Sequence, residues 1–140
     1  MVDIQMTMTC QYCPVQYEGT VDGNPAYFRA RWSSWSFSIT KPGTSPVIPK
    51  DEDCLYHRSD DYGEDGFSAG SMDPAEADTI MRRCVEEWEK GSRGDLERPE
   101  DAQKKYEDRN RRNLEYFKNR GLLTSQDVEN LLKPPSGEVG

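Results

Sequence analysis

Four cysteines and one histidine carry the sharpest spacing in this 140-residue chain. Cys10 and Cys13 form a C-x-x-C, and Cys54 and His57 form a C-x-x-H further on. A tetrahedral zinc site takes four soft or borderline donors delivered as two close pairs, and Cys3His is an accepted set. Cys10, Cys13, Cys54 and His57 are therefore the candidate metal ligands, with zinc the candidate cofactor. The acids flanking Cys54 work against this, because they favour the neutral thiol and a metal binds the thiolate. The competing reading leaves Cys10 and Cys13 in a flexible arm and His57 as an ordinary surface side chain. Cys84 falls on an apolar helical stripe and reads as core.

Other chemistry is poorly provided for. A redox C-x-x-C opens a helix in a βαβ frame, whereas this one precedes a strand pattern. Nucleophilic catalysis needs a base, and the one histidine lies in an acidic stretch. The acids show no D-x-D-x-D-G cation loop, and no glycine-rich phosphate loop precedes a helix. With no nucleophile, base and orienting group to name, the chain reads as non-enzymatic.

Charge is the stronger signal. The formal net charge is −8, and it is unevenly spread. Residues 51–65 hold seven acids, Asp51, Glu52, Asp53, Asp60, Asp61, Glu64 and Asp65, against one base, Arg58. Residues 103–120 hold seven bases against three acids. An acidic total repels phosphate, so strong direct nucleic-acid binding is not expected, and the fitting partner is a protein or protein–nucleic-acid complex with a basic surface. The seven acids are expected to face outward as a partner-binding patch. Apolar residues make up 34% of the chain and mean hydropathy is −0.96, which implies a small core under a charged surface. No run approaches the ~20 apolar residues of a membrane span, and residues 1–9 have neither the basic start nor the apolar stretch of a secretory leader. A cytoplasmic protein is the expectation.

Several elements must position these groups. Residues 1–13 read as a flexible arm. In residues 14–22, Val15, Tyr17 and Val21 alternate with Gln16, Glu18 and Thr20, the period of a half-buried strand. Asp22-Gly23 is a hairpin turn signal. The return strand, 26–32, sets Ala26, Phe28, Ala30 and Trp32 against Tyr27, Arg29 and Arg31. Trp35, Phe37 and Ile39 continue the apolar face in a third strand. Tyr27, Arg29 and Arg31 then belong to the wet face and are a second candidate contact surface, since Tyr and Arg dominate binding hot spots. Pairing of Arg29 with Glu18 is the plain alternative. Val47-Ile48-Pro49 is a candidate edge segment, and Cys54–Arg58 a fourth strand.

Asp73 caps the first helix, with Pro74 at its first position, Glu76 placed for a capping box and Gly91 as the stop. Ala77, Ile80, Met81, Cys84, Val85 and Trp88 form its apolar stripe. Trp88 against Trp32, Trp35 and Phe37 is the expected main core. Residues 92–98 read as a linker and 99–133 as a helical extension ending in a polar tail, 134–140. The extension's stripe is thin (Ala102, Tyr106, Leu114, Phe117), and i,i+4 pairs such as Glu107–Arg111 and Asp108–Arg112 account for its charges. It needs the core domain, a partner, or a second copy of the chain to lie on, a homodimer through these helices being the last case. A short third helix is expected from Thr124 and Asp127, with Val128, Leu131 and Leu132 on its apolar side. The fold class is thus α+β: a core domain over 14–91, in which one helix covers an antiparallel meander of three to four strands.

The stretch from Val15 to Trp32, with Trp35–Ile39, resembles small uncharacterised proteins encoded by bacteriophages and other bacterial mobile elements. The likeness spans about a third of the chain and includes no catalytic motif. It implies a context, in which small acidic proteins block host defence complexes as anti-CRISPR proteins do. The expected function is inhibition of a host nucleic-acid-targeting complex by occupying a basic surface. A zinc-stabilised interaction module on the Cys3His set, and a small-molecule or nucleotide binder using Tyr27, Arg29 and Arg31, are the other readings.

Overall fold

A computed structural model describes residues 2–11, 15–31, 34–62, 69, 72–121, 124, 126–127 and 130. The fold is α+β, as the periodicities require. Five strands, β1 (Ile4–Cys10), β2 (Val15–Val21), β3 (Asn24–Arg31), β4 (Ser34–Thr40) and β5 (Cys54–Asp61), form one antiparallel sheet in the order of the chain. Helix α1 spans Pro74–Glu89 and α2 spans Pro99–Asn119. No helix among the described residues is long and apolar enough to cross a membrane.

Alternation explains the sheet. Val15, Val21, Ala26, Phe28, Ala30, Trp35, Phe37, Ile39 and Tyr56 are buried on one face. Ala77, Met81, Cys84 and Val85 of α1 close over them in one cluster, with Ile80 and Trp88 packed at its margin. Asp22 (φ 53°) and Gly23 (φ 80°) make the two-residue β2–β3 turn, whose left-handed pair matches the twist of the strands. At Gly19, a Cβ would lie 1.8 Å from the Gln5 carbonyl oxygen, so only glycine lets β1 approach β2 there.

Four expectations change. Residues 4–10 are a strand rather than an arm: Ile4, Met6, Met8 and Cys10 alternate with polar residues and are half-buried beside β2. Residues 47–49 do not dock, and Ile48 is 86% exposed. Arg29 lies opposite Gln16, while Glu18 faces Tyr27. Residues 92–98 are not a free linker. His57 N–H donates to the Arg93 carbonyl (3.3 Å), and His57 bridges Gly94 along the outer edge of β5. That strap carries α2 back onto the sheet, so 99–119 belongs to the same folded unit as the core.

The helix ends follow their residues. Asp73 Oδ1 accepts from Ala75 N–H (2.8 Å), while Glu76, instead of closing a capping box, accepts from the Tyr62 hydroxyl. Burial and that carboxylate push the Tyr62 phenol up to about 12. At the far end, Gly91 N–H donates to Trp88 O and Ser92 N–H to Glu87 O, a full Schellman stop with Gly91 at φ 95°. Thr124 and Asp127 exchange the two hydrogen bonds of a capping box. Trp32, Leu122, Val128, Leu131, Leu132 and the 134–140 tail lie outside the described residues.

Phe28 is fully buried at the centre of the cluster, whereas Trp88 is only half-buried. Phe28→Ala should therefore cost about 3–5 kcal/mol of stability and Trp88→Ala clearly less, because the cavity term scales with the space left behind. Urea titration of the two variants checks the order, and a larger loss for Trp88→Ala would show the core to be centred elsewhere.

Candidate functional site: an arginine-lined cavity and an acidic loop

The sheet's second face is built from the residues that alternate with the core. Their cross-strand rows are Tyr27–Ser38–His57, Arg29–Ser36–Ser59 and Arg31–Ser34–Asp61. Helix α2 covers part of this face. Lys105 Nζ donates to the Ser59 carbonyl oxygen (2.9 Å), and Arg109 Nε donates to Asp61 Oδ1 (2.8 Å). Arg112 adds a bond to the other Asp61 oxygen. The i,i+4 pairs expected along α2 are displaced by these contacts: Arg112 turns to Asp61 rather than Asp108, and Glu107 accepts from Gln103.

Between sheet and helix lies a cavity of about 340 Å³ lined by Arg29, Arg31, Ser34, Ser36, Ser59, Tyr106 and Arg109, with Trp35 and His57 at its walls. Tyr27 and Arg29 are thus not on an open wet face. Tyr27 is 7% exposed, and burial pushes its phenol up. What the sequence does not disclose is Arg109: it is one of seven bases in α2, yet it is buried against the sheet. The only cue is its spacing of three and seven residues from Tyr106 and Ala102 on the thin stripe.

The acidic segment is divided by β5. Asp51–Asp53 form a short 3-10 turn before the strand, and Asp60 and Asp61 end it, roughly 20 Å away. Asp60 and Asp61 point to opposite faces, Asp60 toward Arg58 (3.6 Å) and Asp61 toward α2. Both keep about two fifths of their side chains exposed while making these ion pairs. Glu64 and Asp65 lie outside the described residues. Asp51 and Glu52 remain exposed, three and four residues after the exposed Ile48.

The zinc reading fails on topology. Cys10 is on β1 and Cys54 on β5, the two opposite edges of the sheet, about 19 Å apart at least. No shared ion spans that. Cys13 lies outside the described residues, and no group of three metal-binding side chains occurs among them. Cys54 Sγ donates to the Tyr56 carbonyl oxygen (3.2 Å), and burial pushes its thiol up, away from the thiolate a metal needs.

His57 is engaged elsewhere. A 2.7 Å hydrogen bond joins its Nδ1 to Ser38 Oγ. The pair has the residue types of a nucleophile and base, but Ser38 is 4% exposed and lines neither this cavity nor the adjoining one around Asp51, Arg93 and Tyr106, so no substrate reaches its hydroxyl there. Burial holds the imidazole pKa below its usual value, with Asp95 raising it and Lys105 lowering it. Comparison with known protein families, with curated proteins and with solved structures finds no match to this chain.

Two outcomes follow from these contacts. Asp61→Asn leaves Arg109 buried without its counter-charge and should cost about 1–3 kcal/mol, with faster hydrogen exchange in α2 than in α1. Exchange that stays uniform would show that other contacts hold α2. For His57, a depressed folded pKa means the unfolded chain takes up the proton first as pH falls through about 6.5. Stability is then full above that pH and declines below it. The fall in Tm between pH 7.5 and 5.5 should be smaller in His57→Gln than in the parent, and equal falls would contradict the assignment.

Proposed function

We propose that this chain is a non-enzymatic binding protein that docks on a basic partner surface through residues 42–53. One observation carries the reading: Ile48, 86% exposed, precedes the exposed Asp51 and Glu52 by three and four residues, and neither acid forms an ion pair among the described residues. A protruding aliphatic side chain amid unpaired acids suits a partner offering an apolar pocket ringed by Lys or Arg. The net charge of −8 steers the whole molecule the same way. The resemblance to mobile-element proteins supports a setting in the bacterial cytoplasm and a host nucleic-acid-targeting complex as the partner, which the bound protein would inhibit by occupying its basic surface.

Affinity capture from a bacterial extract tests this with the triple variant Ile48→Ser, Asp51→Asn, Glu52→Gln. All three side chains are exposed or flanked by solvent, so Tm should be unchanged. The parent should retain a nucleic-acid-handling protein at low salt and release it as salt approaches about 0.5 M, where exposed charges are screened over a few ångströms. The variant should retain at least tenfold less. Equal retention by parent and variant would remove residues 42–53 from the interface.

A further inference from the structure

A strand at the edge of a sheet leaves one row of backbone N–H and C=O groups without a ladder partner, and proteins blunt such edges with Lys, Pro, bulges or a covering segment. The two edges of this sheet are treated differently. The outer edge of β5 is covered by the strap, through the His57–Gly94 bridge and the hydrogen bond from His57 N–H to the Arg93 carbonyl. β1, at the opposite edge, has no pairing on its outer side among the described residues. Its residues, Ile4–Cys10, include no charge and no proline, in a chain that is 31% charged. The one irregularity, a register shift between Met8 and Cys10, leaves Ile4–Met8 as a regular ladder. Asp22 N–H donates to the Asp3 carbonyl (2.7 Å), and antiparallel pairs alternate. Asp3, Gln5 and Thr7 therefore turn their backbone groups to β2, while Ile4, Met6 and Met8 turn theirs outward.

From this edge we infer that the chain associates with a second copy of itself, β1 against β1, antiparallel about a two-fold axis at Met6. The outward backbone groups are symmetric about that residue. Ile4 then lies opposite Met8 of the second copy, Met6 opposite its own counterpart, and Gln5 opposite Thr7. Each outward N–H meets an outward C=O, as a ladder requires. The side chains match as well. Ile4, Met6 and Met8 are half-buried on one face, and Gln5 and Thr7 are exposed on the other. Apolar residues therefore face apolar ones and polar face polar, a match that a one-residue slip would break. Ile4 and Met6 already pack against the core cluster, so the second copy would extend that core. No like charges meet. Asp3, the nearest acid, accepts from Gln5 Nε2 of its own chain (2.8 Å) and has Thr9 at the corresponding position. The backbone row alone would take any extended strand, whereas the side-chain pattern is matched by β1 itself. The ladder is short beside the roughly 1,200 Å² of the smaller standard interfaces, and each copy carries a net charge of −8. The dimer is therefore weak, in the micromolar range, and tightens as salt screens the repulsion. Residues 42–53 join β4 to β5 at the far side of the sheet, and the inference does not rest on docking there.

Sedimentation velocity of the full chain from about 1 to about 500 μM, at about 0.15 and 0.5 M salt, tests the proposal. The mean mass should rise from one chain toward two, and more readily at the higher salt. Two double variants read the register, because position 5 of one copy faces position 7 of the other. Both side chains are exposed, so Tm should stay at the parent's value. Gln5→Lys with Thr7→Lys sets like charges opposite each other on both sides of the axis and should weaken association at least tenfold. Gln5→Glu with Thr7→Lys sets opposite charges there and should stay within about threefold of the parent. General repulsion predicts the reverse order, since the double-lysine variant has the smaller net negative charge. Amide exchange at Ile4, Met6 and Met8 should slow at least fivefold at the highest concentration, while Gln5 and Thr7, already bonded to β2, should not change. A monomer at every concentration and salt overturns the dimer. Equal association by the two variants, or slowed exchange in α2 in place of β1, overturns the edge pairing and moves the contact to another surface.

Discussion

Helices α1 and α2 are held by the two faces of a single edge strand. Along β5, Tyr56 and Arg58 point to one side and meet Glu87 of α1, while Asp61 points to the other and meets Arg109 and Arg112 of α2. Glu87 is drawn toward the neutral form by burial, but the hydrogen bonds from Tyr56 and Arg58 win and hold its carboxyl below the usual range. The same partnership, with burial foremost, pushes the Tyr56 phenol well above its ordinary value. Each carboxylate is shared by two donors, so removing either would leave more than one group unsatisfied. The strap at residues 92–97 adds the backbone: Arg93 Nη2 donates to the Cys54 carbonyl, and Ser59 N–H donates to Asp95. Gly94 lies at φ 66°, with space for no Cβ beside the His57 carbonyl oxygen, which fixes how close the strap can run.

This arrangement changes the meaning of the charge pattern. The acidic run and the basic run, far apart in sequence, are partly each other's counter-ions, because Asp61 neutralises Arg109 and Arg112. Among the described residues, the charge left uncompensated is smaller and more localised than the totals suggest. Asp51 and Glu52 sit with Ile48 at one end of the sheet, and the arginine cavity opens under α2.

The core was legible because its signals are local. Alternation over Val15–Ile39 and the stripe Ala77–Val85 each repeat with the period of their own element, and Asp73, Pro74 and Gly91 mark the helix ends by side-chain chemistry alone. β1 is hard to see in the sequence although Ile4, Met6 and Met8 alternate with Gln5 and Thr7, since methionine and threonine give a weak contrast. The cavity was half legible. Arg29 and Arg31 fall out of the strand period, but nothing local shows that the face they occupy is covered. Its cover is α2, and α2 docks by ion pairs to a strand some fifty residues earlier, which no window of local sequence contains. The zinc reading failed for the converse reason: Cys10 and Cys54 have suitable types and spacing, and only the strand order keeps them apart.

The sheet's strand order bears on how the chain reaches this structure. Each strand pairs with its immediate predecessor, so the sheet can grow by successive hairpins, with modest loop-closure entropy at each step. The left-handed pair at Asp22 and Gly23 favours the β2–β3 hairpin as an early unit. The strap and α2 contact β5 only across a long stretch of chain and largely through charged groups. Their docking therefore belongs to the late, downhill side of the folding barrier. Weakening it should speed unfolding far more than it slows refolding, and the opening of α2 becomes the lowest-energy departure from the native structure.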